Sequence, residues 1–159
     1  AADMREQVID DLVDSHMPPR AYAEQWNVQG LHDSVVERLN MDRLRSHMVE
    51  AAEQCGRTML PDMAEPIKLA ALLRAWPTDR ILYFADESGG EPFANAAAAR
   101  QCPAAILIGP EGGFDDEERT AIRAHPQSVP ISLGPRILRA ETAAIAALSI
   151  WMASAGDWR

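Results

Sequence analysis

Lysine is nearly absent from this chain. Of its 15 basic side chains, Lys68 is the single lysine. Against them stand 24 carboxylates, and the formal net charge is −9. Phosphate binding needs clustered cations. A strong, general affinity for nucleic acid is therefore excluded, and any basic patch must be local and built from arginine. Cysteine is scarce as well. Cys55 and Cys102 form no metal-ligand spacing, and a small secreted disulfide scaffold would need more of them. Both read as reduced, in a cytoplasmic protein, and foremost as small apolar core residues. The four histidines, His16, His32, His47 and His125, include no His-x-x-x-His pair. No metal is expected. No basic, apolar leader opens the chain. The longest mostly apolar run, Ala143 to Ala155, falls short of the ~20 residues a membrane span needs.

What is present is ordinary for a globular protein. The 159 residues suit one domain, with 47% hydrophobic and 25% charged residues. Residues 3–16 read as an amphipathic helix: Met4, Val8, Ile9, Leu12 and Val13 recur at helical spacing, Asp3 can cap it, and Pro18-Pro19 ends it. A second short helix fits residues 31–39. Asp42 is positioned to cap a helix running to Cys55, with Gly56 as its C-terminal cap. Pro66 fits the first turn of a helix reaching Trp76. Residues 81–85 read as a strand, 86–91 as a polar, glycine-rich loop, and 92–100 as an alanine-rich helix. This alternation predicts an α/β fold, a parallel sheet covered by helices.

Two segments carry most of the functional information. In the first, Ala104-Ala-Ile-Leu-Ile-Gly-Pro-Glu-Gly-Gly-Phe114, a short apolar strand stops at Gly109-Pro110. Gly112 and Gly113 permit positive φ and close backbone approach. Asp115 and Glu118 then have the spacing of a capping box. The second, Ile131-Ser-Leu-Gly-Pro-Arg-Ile-Leu-Arg-Ala-Glu-Thr-Ala143, repeats the plan: a strand over 129–133, a turn at Gly134-Pro135 and a helix from about Glu141 to Ala153. Each loop falls at the carboxyl end of a strand, where open α/β sheets bind ligands. Alone, Gly-Pro-Glu-Gly-Gly is equally a tight turn. It is neither Gly-x-Gly-x-x-Gly nor a P-loop, so dinucleotide and P-loop readings fail.

Together the two segments closely resemble the 16S ribosomal RNA uracil-N3 methyltransferases of the SPOUT superfamily. The run Val49-Glu-Ala-Ala-Glu-Gln-Cys-Gly-Arg-Thr58, with Pro61, is also similar to that family, and the resemblance covers residues 42–159. It implies a C-terminal trefoil knot, S-adenosylmethionine held in the knot, pairing of two subunits there, and small-subunit ribosomal RNA as substrate. The cofactor positions carried over are Phe84, Ile108, Gly109, Gly113, Leu133, Gly134, Ile137, Leu138 and Thr142. Thr142 is equally a helix cap.

Methyl transfer to uridine N3 needs in-line positioning, loss of the N3 proton, and a base or anion-stabilising donors. Glu141 is the candidate base, or else a first-turn acid favoured by the helix dipole. Arg139 is the candidate for the uracil carbonyls or a phosphate. Arg136 is the candidate for phosphate, or else a salt-bridge partner. Glu111 either orients the loop or is a solvated turn residue. The last helix has a wide apolar surface and reads equally as an interface or a core helix.

Residues 1–41 depart from this family, whose members open with a β-barrel RNA-binding domain. Met4-Arg-Glu-Gln-Val-Ile-Asp-Asp-Leu-Val-Asp14, His16-Met-Pro-Pro19 and Glu24-Gln-Trp-Asn-Val-Gln-Gly-Leu31 resemble instead the helical scaffold of the preprotein translocase ATPase, without its nucleotide-binding motifs. The expected division is a helical segment, 1–41, and a methyltransferase domain, 42–159. Two other functions stay open: a fused domain that binds without catalysing, and a SPOUT enzyme that methylates ribose 2′-hydroxyls.

Overall fold

The structure, a computed structural model, describes residues 8–10, 25–27, 41–100, 102–110 and 112–158. In chain order the elements are β1 (Val8–Asp10), β2 (Gln25–Asn27), α1 (Met41–Gln54), β3 (Asp62–Ala64), α2 (Leu69–Arg74), β4 (Ile81–Ala85), β5 (Glu91–Pro92), α3 (Phe93–Ala99), β6 (Ala104–Leu107), α4 (Asp116–Ala124), β7 (Ser128–Ser132) and α5 (Ala140–Ser154). The strands form one sheet in the order β3-β2-β1-β6-β4-β7-β5. From β6 to β5 every pairing is parallel. Tyr83 on β4, for example, faces Ile106 on β6 and Val129 on β7.

Central strands of a helix-covered parallel sheet are buried on both faces and need apolar residues throughout. Strand β6, Ala-Ala-Ile-Leu, is buried at all its positions. Strand side chains alternate between faces, and the core divides accordingly. Leu82, Phe84, Ala105 and Leu107 pack with Leu72, Leu73, Trp76 and Ile122 of the α2–α4 side. Tyr83, Ala104 and Ile106 pack with α3 and α5 on the other. Ala96 and Ala97 of α3 are fully buried in that second layer. So is Ala147 of α5, and Trp151 supplies bulk there. Burying one large side chain of this kind contributes about 1.5–3 kcal/mol. Tyr83 is the polar exception. Its hydroxyl donates to the Ala96 carbonyl at 3.2 Å, its ring meets Phe93 edge-on at 5.0 Å, and burial pushes its phenol up to about 12.

Local signals in the sequence set the helix ends. At the end of α1, Gly56 takes φ 67°. The Gly56 and Arg57 amides return to the Glu53 and Ala52 carbonyls at 3.2 and 2.8 Å, a Schellman closure. The expected capping box opens α4: the Glu118 amide donates to Asp115 at 2.8 Å, and the Asp115 amide donates to Glu118 at 3.1 Å.

The N-terminal expectation needs correction. Val8–Asp10 is a strand, not the middle of a helix over 3–16. It runs antiparallel to both β2 and β6. Val8 and Ile9 are β-branched, and the edge of β6 offers them a ladder, so pairing overrides the helical period. The sheet is therefore mixed at this end, with β2 parallel to β3. The helix expected over 31–39 lies outside the described residues. Asp42 falls inside the first turn of α1 rather than before it. Pro66 precedes α2, which opens at Lys68 and Leu69. Strands β3 and β5, of three and two residues, are too short to show a period.

Candidate active site

Because β4, β6 and β7 are parallel, the loops that follow them emerge at one edge of the sheet. The chain leaves β4 for β5 beyond β7, returns across β4 to β6, and crosses again to β7. Crevices at such reversals of strand order are where α/β sheets bind ligands. Here loops 86–90, 109–115 and 133–139 enclose a cavity of about 280 Å³. Phe84, Ile108, Ile131, Leu138 and Ala143 supply apolar lining.

The 109–115 loop is shaped by one aromatic contact. Phe114 packs edge-on against Phe84, centroids 5.4 Å apart. Its ring then covers Gly109 so closely that a Cβ there would lie 2.9 Å from the ring edge. Gly113, at φ 71°, turns the loop. Across the cavity Gly134 turns the next loop at φ 123°, and a Cβ there would meet nothing within 4 Å. Bare backbone faces open space at that point.

The third wall is ionic. Asp86 directly follows β4 and is fully buried as a side chain. Its Oδ1 accepts from the Ser88 amide at 2.9 Å, the Ser88 hydroxyl at 2.7 Å and Arg119 Nη1 at 3.1 Å. Its Oδ2 accepts from Arg123 Nε at 2.6 Å. Burial alone would raise the Asp86 carboxyl, but the Ser88 hydrogen bonds and Arg123 hold it below the usual carboxylate value. Arg123 continues to the Ser88 hydroxyl and the Gly89 carbonyl. Arg119 Nη2 donates to Glu87 at 2.8 Å and reaches the Phe114 carbonyl at 3.5 Å. The Glu87 hydrogen bond raises the Arg119 pKa further.

Residues 27–152 match the model of the RNA methyltransferase domain family. The chain belongs to that family. Over 114 residues it is 32% identical to the ribosomal RNA small subunit methyltransferase E of Rickettsia conorii, covering 70% of this chain and 46% of the relative. A Legionella pneumophila protein described as a methyltransferase, and solved with the cofactor SAM bound, is 32% identical with a TM-score of 0.58. That alignment covers 80% of this chain and 53% of that one. A Neisseria gonorrhoeae ribosomal RNA small subunit methyltransferase E, solved with S-adenosyl methionine, superposes with a TM-score of 0.71 at 23% identity, over 81% of this chain and 54% of that one. At that identity the likeness concerns the fold. The chain spans about half the length of the relatives it matches.

In this RNA methyltransferase domain the cavity gathers most of the positions named from sequence. Phe84, Ile108, Gly109, Gly113, Leu133, Gly134, Ile137 and Leu138 all line it, as does Arg136. Thr142, Arg139 and Glu141 do not. They are exposed, with Arg139 at the N-cap of α5 and the other two in its first turn. Glu111 lies outside the described residues. Among the described residues no ion pair reaches Arg136 or Arg139. Among them too, no group of His, Cys, Asp and Glu could hold a metal ion, and no helix is long and apolar enough to cross a membrane.

The residues missed from sequence are Asp86, Glu87 and Arg119. One signal was available. Arg119 and Arg123 stand four apart on α4, hence on one face, and an acid directly follows the buried strand β4. The 33-residue separation of Asp86 and Arg119 hides their pairing until the sheet is assembled.

Proposed function

We propose that this chain transfers a methyl group from S-adenosylmethionine to N3 of a uridine in small-subunit ribosomal RNA. The observation that carries the proposal is the cleft: three loops from the carboxyl ends of parallel strands, in a chain 32% identical to a Legionella protein solved with SAM bound.

The residues present fit a nucleoside cofactor. Phe84, Ile108, Leu133 and Leu138 offer apolar surface to a flat base and exclude water. At Gly134 a cradle of backbone is left open that a Cβ would begin to fill, and Gly109 lets Phe114 close over the 109–115 loop. When bound, the cofactor supplies an activated methyl group.

The chain's own residues supply the rest. Arg136, in the cleft, and Arg139, at the start of α5, face a phosphate or the uracil carbonyls and stabilise the charge left when N3 loses its proton. Glu141, in the first turn of α5, is the candidate base, and Thr142 beside it is the candidate to hydrogen-bond the cofactor. A uridine inside a helix cannot present N3, so the substrate is single-stranded or flipped out. In this reading residues 42–159 carry the chemistry and residues 1–41 contribute none, an ATPase activity included. The trefoil knot, the pairing of two copies against α5 and a cytoplasmic location belong to the same reading. Ile145, exposed on α5, supports the pairing.

The test is calorimetric titration with S-adenosylmethionine, for the wild type and for Gly109→Trp. Micromolar binding, abolished when the Trp displaces Phe114, supports the cofactor site. Incubation with small-subunit ribosomal RNA and nucleoside analysis then separates the chemistries. N3-methyluridine is expected, and a 2′-O-methyl product would overturn the assignment.

A further inference from the structure

Glu87 is not needed to satisfy the interior. Asp86 already takes both arginines, whereas the Glu87 side chain is 47% exposed. Yet Glu87 is held. Its Oε1 accepts from Arg119 at 2.8 Å and sits over Gly113, where a Cβ would come within 3.3 Å of it. Its Oε2 has no partner among the described residues, and the residue lines the cleft. Asp86 and Glu87 carry two negative charges, and Arg119 and Arg123 two positive ones. This wall is therefore neutral overall, and Arg136 adds a positive charge to the lining. Such surroundings gain little from a cationic group. A neutral hydroxyl finds a strong acceptor there, because hydrogen bonds to a carboxylate are shorter and stronger than neutral ones. A carboxylate near the end of a parallel strand is also how dinucleotide-binding sheets take a ribose hydroxyl.

We propose that Glu87 accepts the ribose hydroxyls of the nucleoside bound in this cleft, and that Arg119 is the positioning residue that holds Glu87 in place. The proposal rests on the cofactor reading above and deepens it. Arg119 acts through Glu87. Its reach to the Phe114 carbonyl at 3.5 Å also ties the 86–90 loop to the 109–115 loop.

The test is calorimetry on the whole chain with S-adenosylhomocysteine and with its 2′,3′-dideoxy analogue. Hydrogen bonds to charged groups imply that Glu87→Ala weakens the hydroxyl-bearing ligand about tenfold. Affinity for the dideoxy analogue stays unchanged, since the partner hydroxyls are already gone. Glu87→Gln falls between. Arg119→Met copies Glu87→Ala, and Arg119→Lys recovers part of the loss. Equal weakening of both ligands by Glu87→Ala, or weakening of neither, overturns the proposal. Glu87 is half exposed, so its variants are expected to fold, and a thermal melt checks this. A folded wild type that binds neither ligand overturns the cofactor reading itself, and the Glu87 role with it.

Discussion

Two walls of the cleft are built in opposite ways. Residues 86–90 are fixed from behind: Asp86 is buried between Arg119 and Arg123, Arg123 holds Ser88 and Gly89, and Arg119 holds Glu87. Residues 134–139 turn at Gly134 with only the Ser132 hydroxyl hydrogen-bonded to it among the described residues, and Arg136, Ile137 and Arg139 stand exposed, Ile137 at 81%. The difference shows where cations are available in a chain of net charge −9. Arginines on the first wall are consumed by the protein's own carboxylates. Those on the second are not, so the uncommitted positive charge at the cleft is that of Arg136 in the lining and Arg139 beside it at the N-cap of α5.

The largest effect expected on stability comes from opening the fixed wall at its centre. Asp86→Ala leaves two guanidiniums without their carboxylate. A fully buried pair would lose 3–5 kcal/mol. Both arginines are partly exposed here, so about 2–3 kcal/mol is expected, read from a denaturant midpoint. The pH dependence has a definite sign. The Asp86 pKa is lowered in the folded chain. Its contribution is therefore complete above the unfolded value near pH ~3.9 and is lost as pH falls through the lower folded value. Asp86→Asn should flatten the acid limb below about pH 4 and leave its shape near neutrality alone. An acid limb identical to wild type would mean that Asp86 does not anchor this wall.

A pair of glycine substitutions sharpens the contrast. A Cβ on Gly90 would come within 2.4 Å of the Pro130 carbonyl carbon and oxygen and 2.6 Å of the Ile131 nitrogen. These are backbone atoms of a paired strand and cannot move aside. Gly90→Ala should cost about 2 kcal/mol by overpacking. Gly134→Ala meets nothing within 4 Å, and only its φ of 123° opposes the substitution. About 1 kcal/mol is expected there. Thermal melts of the two variants give the ranking. Equal losses would mean that the second wall is packed as tightly as the first.

Local chemistry was legible in the sequence, and long-range pairing was not. Gly56, the Asp115–Glu118 box and the apolar run of β6 carry their instructions within a few residues, and each appears as expected. The loops after β6 and β7 announced themselves through their glycines for the same reason. Asp86 did not, because its meaning lies in Arg119 and Arg123, more than thirty residues away. Val8 and Ile9 show the same limit from another side. Their spacing permits a helix, and only pairing with β2 and β6 makes them a strand. Arg139 and Glu141 fall in the motif but outside the cavity lining, since sequence proximity to a loop does not fix which way the first turn of α5 faces.

The smallest effect on the free chain should come from the open wall's cations. Arg136 and Arg139 are exposed and meet no ion pair among the described residues. Replacing both by alanine should change stability by less than about 0.5 kcal/mol, as for surface positions generally. RNA binding should respond differently. Each cation on a single-stranded phosphate contributes roughly 0.7 to the slope of log affinity against log salt, so the double variant should lose about 1.4 of that slope. Titrations at several salt concentrations would measure it. An unchanged slope would place the RNA elsewhere, because the arginines of the opposite wall already answer to Asp86 and Glu87 and have little charge left to give.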